Sequence, residues 1–328
     1  EFACGKPIIK EITGQVEHVI AGHEADLLMI TPCCATSLGK MVNGIGDNPP
    51  MLVALTCIGA KTPMIVAPAM DNNMSDSVIV QKNMKSVKKF ANVIEPVMIE
   101  GKAKLPSKER LVAEACKMAG PKSLDRKKVL IMGGGSSEPI DDVRVVSNRS
   151  SGRMAISLAE SAFAMGADVD LWLGNASYEC GNWIKTTRFE ALSKLRSLVK
   201  GMKRYDAIVV PAALSDFIPE QAKGKLDSAK QITLKMKKTP KIINGIRKKH
   251  KGLLYVFKLG ARISEKELLA KAKVLLKNAN CVIANHSKSM GSDKSKVAII
   301  DKKNIVWISG SKVEISNKIL DKIASELN

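Results

Sequence analysis

Gly133-Gly134-Gly135-Ser136-Ser137-Glu138-Pro139-Ile140-Asp141-Asp142-Val143-Arg144, followed closely by Ser147-Asn148-Arg149-Ser150-Ser151-Gly152-Arg153-Met154, decides the reading of this chain. An apolar run over 129–132 delivers the backbone into the glycine turn, and the second small-residue cluster opens a helix. Glycines allow backbone N–H groups close to a phosphate, and a helix N-terminus adds unsatisfied donors and a favourable dipole. Gly134, Gly135, Asn148, Ser150, Ser151 and Gly152 are therefore the candidate phosphate-loop residues, and the ligand they suggest is a large phosphorylated one, a nucleotide. The strict G-x-G-x-x-G pattern fails, because Glu138 stands where the third glycine belongs, and no acidic residue ends the second strand near Leu173. Both failures disfavour hydride chemistry on a dinucleotide.

The stretch lies mid-chain, and 328 residues suggest about two domains. Alternating short apolar runs and helical patterns predict an α/β architecture with mainly parallel sheets. In the first part, 26–31 and 62–67 read as strands, 35–43 as a helix, 93–99 as the last strand and 108–119 as a closing helix. Gly120-Pro121-Lys122-Ser123 breaks the pattern and places the boundary between 1–122 and 123–328. In the second part, strands are expected at 129–132, 168–173, 207–210, 253–257, 282–284 and 297–300. That last strand forms a hairpin with 305–309, and helices are expected at 153–165, 189–200 and 312–327.

The formal charge of +20 raises the question of nucleic acid. The lysines are spread along the chain, with small clusters at 85–89, 235–241 and 248–251, and aromatics are not interleaved as a stacking platform requires. Solvated helix faces and anionic small substrates account for the charge better, so no nucleic-acid partner is expected. No apolar run is long enough to cross a bilayer, which predicts no membrane partner. Seven scattered cysteines without a CxxC pair point to a reducing compartment, hence a cytoplasmic protein. The chain does not begin with Met, and its N-terminus is expected to be missing. Asp216, followed by Lys223 and Lys225, suits magnesium and a triphosphate; a simple turn cap is an equal alternative for Asp216 alone.

The glycine and Ser147–Met154 blocks, with Ala212-Ala213-Leu214-Ser215-Asp216-Phe217, Gly224-Lys225-Leu226, 234–240 and Val282-Ile283-Ala284-Asn285, resemble phosphopantothenate–cysteine ligase. The resemblance implies a Rossmann-like ligase domain in which the carboxylate of 4′-phosphopantothenate attacks CTP, giving an acyl-cytidylate and pyrophosphate. Cysteine then displaces CMP. It implies that Asn148 contacts the acyl-cytidylate and that Lys225 stabilises charge during activation. Asp216, Lys225, Pro240, Lys241, Ile242, Ile243, Phe257, Lys273 and Lys277 fall on its CTP-binding positions, with Asp216 the candidate Mg²⁺ contact. Lys241 departs from the family, which usually carries Asp there.

The first part resembles the flavin-dependent phosphopantothenoylcysteine decarboxylase fused upstream of that ligase, a flavodoxin-like domain. The matching blocks are Glu17-His18, Asn43-Gly44-Ile45-Gly46-Asp47-Asn48 and Pro68-Ala69-Met70-Asp71-Asn72-Asn73-Met74. The resemblance implies FMN as cofactor, His18 as the catalytic histidine, and Pro32, Ser37, Lys40, Asp71, Asn72 and Met74 around the flavin and substrate. Asp71 replaces the family's Asn and sets a carboxylate against the substrate's own. Gly101-Lys102-Ala103-Lys104-Leu105 stands where the family has its Ala-Cys-Gly flap. The family's first strand and glycine turn, which hold the FMN phosphate, would precede Glu1, so weak FMN binding is expected. The whole resembles the bifunctional coenzyme A biosynthesis enzymes, which implies a homo-oligomer. The alternative is a ligase whose first half is a non-catalytic scaffold.

Overall fold

The computed structural model describes residues 2, 4–99, 102–227, 229, 231–286 and 294–328. Gly101 of the flap replacement and Glu1 lie outside them. Contacts divide the chain into two units, Glu1–Pro121 and Lys122–Asn328.

In the first unit the order is α1 (Glu17–Glu24), β1 (Leu28–Cys33), α2 (Ala35–Asn43), α3 (Pro49–Ala60), β2 (Met64–Pro68), α4 (Asn72–Ser75), α5 (Val78–Val87), β3 (Asn92–Val93), β4 (Val97–Ile99), β5 (Lys102–Lys104) and α6 (Lys108–Ala119). Strands β1, β2 and β3 form a parallel sheet in that order. Strand β2 is buried along its whole length, as a central parallel strand is. The helix starts are written in capping chemistry. Cys34 accepts the Ser37 N–H at the start of α2, Asn48 accepts that of Met51 before Pro49, and Ser107 accepts that of Arg110. The strand expected at 93–99 is a correction: β3 stops at Val93 and the chain resumes as an antiparallel β4–β5 hairpin. Pro96, which has no N–H to give a ladder, explains the break.

The second unit runs β6 (Lys128–Gly133), β7 (Ser137–Pro139), β8 (Val145–Ser147), α7 (Arg153–Ala164), β9 (Asp168–Leu173), β10 (Lys185–Arg188), α8 (Leu192–Lys200), β11 (Ala207–Val210), β12 (Phe217–Pro219), β13 (Met236–Lys238), α9 (Ile242–Lys249), β14 (Leu253–Gly260), α10 (Glu265–Leu275), β15 (Cys281–His286), β16 (Lys294–Ile300), β17 (Ile305–Ser311) and α11 (Lys312–Leu327). Its main sheet has the order β10-β9-β6-β11-β14-β15-β16-β17, parallel up to β15 and antiparallel for the final hairpin. The helix expected from 189 starts at Leu192, because Phe189 is a buried core residue that follows the edge strand β10.

Strand alternation assigns the two faces. Leu254, Val256, Val282, Ala284, Ala298 and Ile300 pack with α8, α9 and α10 in one core. The alternate residues, Phe257, Leu259, Asn285 and Val297 among them, therefore belong to the opposite face, which α7 and α11 cover.

Candidate active site

The glycine turn sits where β6 leaves the centre of the sheet. Gly134 has φ +75°, and a Cβ there would come within 2.8 Å of two backbone atoms of Gly174. The reason for the glycines differs from the expected one. Gly135 donates its N–H to Asn175 O (2.8 Å) and Ser136 to Ala213 O (3.3 Å), while Ala213 donates to Gly134 O (2.9 Å). The turn is the seam between the ends of β6, β9 and β11, and the amides of Gly135 and Ser136 are committed to it. The Gly135 amide, expected to face a phosphate, is thus already bonded within the protein. The start of α7 adds donors for an anion, since its N-cap Gly152 (φ 74°) has no side-chain cap.

The two acids of the motif are scaffolding. Glu138 is buried and its carboxylate accepts the N–H of Leu192 (3.1 Å), capping α8, which lacks a local cap. The Asp141 side chain is fully buried and accepts from Val143 N (2.8 Å), Arg144 N (2.6 Å), Arg144 Nη1 (2.7 Å) and Leu226 N (3.0 Å). Those donors, the Leu226 amide foremost, hold its carboxyl at about 2. Because the folded value is depressed, the stabilisation is complete above the unfolded value, near 4, and fades as pH falls towards about 2. Acid unfolding followed by circular dichroism is expected to be shallower in that window for Asp141→Asn than for the unmodified protein.

Asp141 also fixes the loop that carries Lys225. Ala222 donates to Ile140 O (2.9 Å) and Asp142 to Gly224 O (3.4 Å), so the loop is docked while the Lys225 side chain is exposed. Asp216 lies in the loop beyond β11, not at the strand's end, and its carboxylate holds Lys241 Nζ at 2.5 Å. Thr239 ties the two segments, bonding the carbonyls of Ser215 and Asp216. Among the described residues no group of three or more His, Cys, Asp or Glu could hold a metal ion. Magnesium held through substrate phosphates needs only one or two carboxylates, so the Asp216 carboxylate, paired with Lys241, stays its candidate contact.

A cleft of ≈ 880 Å³ opens at the carboxyl edge of the sheet on the α7/α11 face. Asn148, Ser150, Ser151, Gly152, Gly134 and Phe257 line it, as do residues 211–213. Asn148 is steadied by an Nδ2–H bond to Ala213 O (3.0 Å). The sequence reading missed Arg149, Arg153, Asn175, Ser177 and Lys312 as lining residues. Among the described residues no carboxylate lines it. Pro240, Lys241, Ile242 and Ile243 lie at the start of α9, on the opposite face of the sheet, with both isoleucines against the α8–α10 core. Lys273 and Lys277 stand at the far end of α10, just before β15 begins, and are exposed. The structure does not gather them with the cleft residues.

In the first unit, the carboxyl ends of β1 and β2 bring Pro32, the α2 start with Ser37, and Asp71, Asn72 and Met74 to one edge of the sheet. Asp71 caps α4 by accepting the Asn73 N–H (2.9 Å). Lys40 is paired with Asp47 (2.7 Å). His18 Nδ1 is buried with no hydrogen-bond partner, and Glu17 is occupied by Thr13 instead of by the imidazole. A pocket of ≈ 290 Å³ abuts the same edge at Pro68 and Met70. An unpaired imidazole nitrogen and a strand-edge cradle of this kind fit a flavin-handling site.

The fold and the two sites define a two-domain α/β protein, a flavoprotein-type unit followed by a second unit built on an eight-stranded, mostly parallel sheet. The flavoprotein family model matches residues 1–120, and the model described as DNA/pantothenate metabolism flavoprotein C-terminal domain matches 124–327. The coenzyme A biosynthesis bifunctional protein CoaBC of Thermococcus kodakarensis is 37% identical over 100% of this chain and 84% of its own. A cysteine/cysteine sulfinic acid decarboxylase from an unknown prokaryotic organism is 31% identical, over 93% of this chain and 90% of its own. A solved C-terminal domain of a CoaBC protein (24% identity, TM-score 0.54) covers 63% of this chain and 98% of itself, and shares the fold. The chain belongs to the bifunctional coenzyme A biosynthesis family and is an enzyme.

Proposed function

We propose that the second unit joins 4′-phosphopantothenate to cysteine through an acyl-cytidylate made from CTP, and that the first unit decarboxylates the resulting 4′-phosphopantothenoylcysteine. The observation that carries the ligase half is the cleft at the strand ends, with Asn148, Arg149, Arg153 and Phe257 in its walls and no carboxylate among its described lining residues. Such a site receives an anionic acid, and fixed dipoles and cations there stabilise charge as the acyl-phosphate forms. Asn148 presents its amide to the acyl-cytidylate from a position held by Ala213. Lys225, on its docked loop, offers its ammonium to the triphosphate. Asp216 and Lys241 hold each other and pose the loop next to the start of α9. Asp216 would be the carboxylate to meet a magnesium ion brought in with the triphosphate.

In the first unit Pro32, Ser37, Asn72 and Met74 would hold FMN and the substrate's thiol end, at the edge where Cys34 engages the Ser37 hydroxyl (3.4 Å). Bound FMN supplies the electron sink that lets the cysteinyl carboxylate leave as carbon dioxide. His18 moves a proton at its free imidazole nitrogen. Family membership favours both activities over a first unit that is only a scaffold. Asp71→Asn keeps the α4 cap, since Asn caps as well as Asp, and removes a charge facing the substrate carboxylate. Decarboxylation is expected to rise by a few-fold to about tenfold; no decarboxylation by either form with flavin bound would favour the scaffold. We further infer a cytoplasmic protein and, from the family resemblance alone, a homo-oligomer: the described cysteines form no disulfide with one another, as in a reducing compartment, and among the described residues no helix is long and apolar enough to cross a membrane. The ligase reading is tested by pyrophosphate release with phosphopantothenate, cysteine and either CTP or ATP. Release with CTP is expected, and release with neither nucleotide overturns it.

A further inference from the structure

We propose that the pocket beside the 68–75 segment of the first unit takes the phosphate end of the decarboxylase substrate, with Lys85 meeting the phosphate. This rests on the decarboxylase reading above and assigns the end of 4′-phosphopantothenoylcysteine remote from the reacting thiol and carboxylate. The pocket, ≈ 290 Å³, starts at Pro68 and Met70, so it continues directly from the turn that carries Asp71 and Met74. Helix α5 and its C-cap Lys88 build another wall. Val80, Met84 and Lys88 follow one another at intervals of four residues, with Gln81 and Lys85 beside them, and all five line the pocket. Gln81 Nε2 donates to Ser75 O (2.7 Å), which fixes the start of α5 against the end of α4.

That wall is divided by polarity. Val80 is buried and, with Met70 and Met84, packs in the cluster that also holds Cys33 of β1 and Leu38 of α2. Gln81, Lys85 and Lys88 are exposed on the solvent side of the same helix. An apolar floor therefore lies next to two ammonium groups. Lys88 Nζ is held by Glu95 Oε1 (2.6 Å), and Lys85 stands one turn earlier. The substrate carries the matching pattern at one end, where a phosphate ester adjoins a geminal dimethyl group. A dianionic phosphate also gains more from an ammonium than a singly charged carboxylate does. A lysine in the last turn of a helix favours the helix dipole as well, but that role is indifferent to which substrate is offered.

Carbon dioxide release by the whole chain, supplied with FMN, tests this with 4′-phosphopantothenoylcysteine and its unphosphorylated counterpart. Lys85→Ala is expected to reduce the preference for the phosphorylated substrate about tenfold, the worth of one charge-assisted hydrogen bond, and to do so through KM. Lys85→Arg keeps most of that preference. FMN carries a phosphate too, so its affinity is followed by flavin fluorescence and is expected to be the same in all three proteins. An unchanged preference, an equal loss with both substrates, or a loss of FMN affinity overturns the assignment. Calorimetric binding of the product 4′-phosphopantetheine makes the comparison without turnover: weaker binding by Lys85→Ala supports the pocket, and equal binding overturns it. Absence of carbon dioxide release from the unmodified protein would count against the decarboxylase reading, and the binding comparison would still decide the pocket.

Discussion

Exchange of His18 for Ala is expected to lower decarboxylation of 4′-phosphopantothenoylcysteine by about a hundred- to ten-thousandfold, the usual worth of a positioned proton-transfer group, with pyrophosphate release untouched. The side chain sits in the first turn of α1, with Nδ1 shielded from water and bonded to nothing. A buried polar atom without a partner carries a desolvation cost in the folded protein. Its removal is therefore not expected to weaken the fold, and the Ala variant is a clean probe of chemistry. Glu17 does not orient the ring, because both its oxygens are taken by Thr13. On the proposed reading the substrate is the partner of that imidazole nitrogen. Carbon dioxide release and the melting temperature are the paired readouts. A variant that melts like the parent and decarboxylates within tenfold of it removes His18 from the mechanism.

The second large effect concerns the seam of the second unit. Gly134→Ala is expected to cost about 2–5 kcal/mol, combining a left-handed backbone of roughly 1–2 kcal/mol with overpacking of about 1–3 kcal/mol. The added Cβ would meet the carbonyl carbon and nitrogen of Gly174 at 2.8 Å and Asn175 O at 2.9 Å, and backbone cannot rotate aside as a side chain can. Relief requires β6 and β9 to part at the point where Gly135 and Asn175 exchange hydrogen bonds. The calorimetric transition of the ligase unit is expected to fall by roughly 5–15 °C, at about 2–4 °C per kcal/mol for a unit of this size, with ligase activity lost in parallel. Decarboxylation should persist. A transition within 2 °C of the parent's would mean that the seam tolerates a Cβ.

Much of this architecture could be read before any coordinates, for identifiable reasons. The helices Ala35–Asn43, Lys108–Ala119 and Lys312–Leu327 announce their limits through local chemistry: Gly44 in the left-handed conformation, the Ser107 cap, the Ser311/Glu314 box. What escaped the sequence is non-local. Glu138 and Asp141 stand inside the motif that suggests a ligand, yet their partners Leu192 and Leu226 lie 54 and 85 residues away. Asp141 also accepts from its neighbours Val143 and Arg144, but nothing near Glu138 in the chain distinguishes a buried cap from a binding group. Lys312 escaped for the same reason, since its place in the cleft depends on α11 packing on α7. The division of the candidate nucleotide residues between two faces follows from the parity of β14, where Val256 and Phe257 point opposite ways. That parity is visible in the sequence only once the strand's core side is known.

The two units are read as consecutive steps of one conversion, and cysteine labelled at its carboxyl carbon tests that most directly. Labelled carbon dioxide is expected only when phosphopantothenate, CTP and flavin are all supplied, with pyrophosphate appearing in equal amount. Labelled carbon dioxide from cysteine and flavin alone, or pyrophosphate without any labelled gas when flavin is bound, would contradict it.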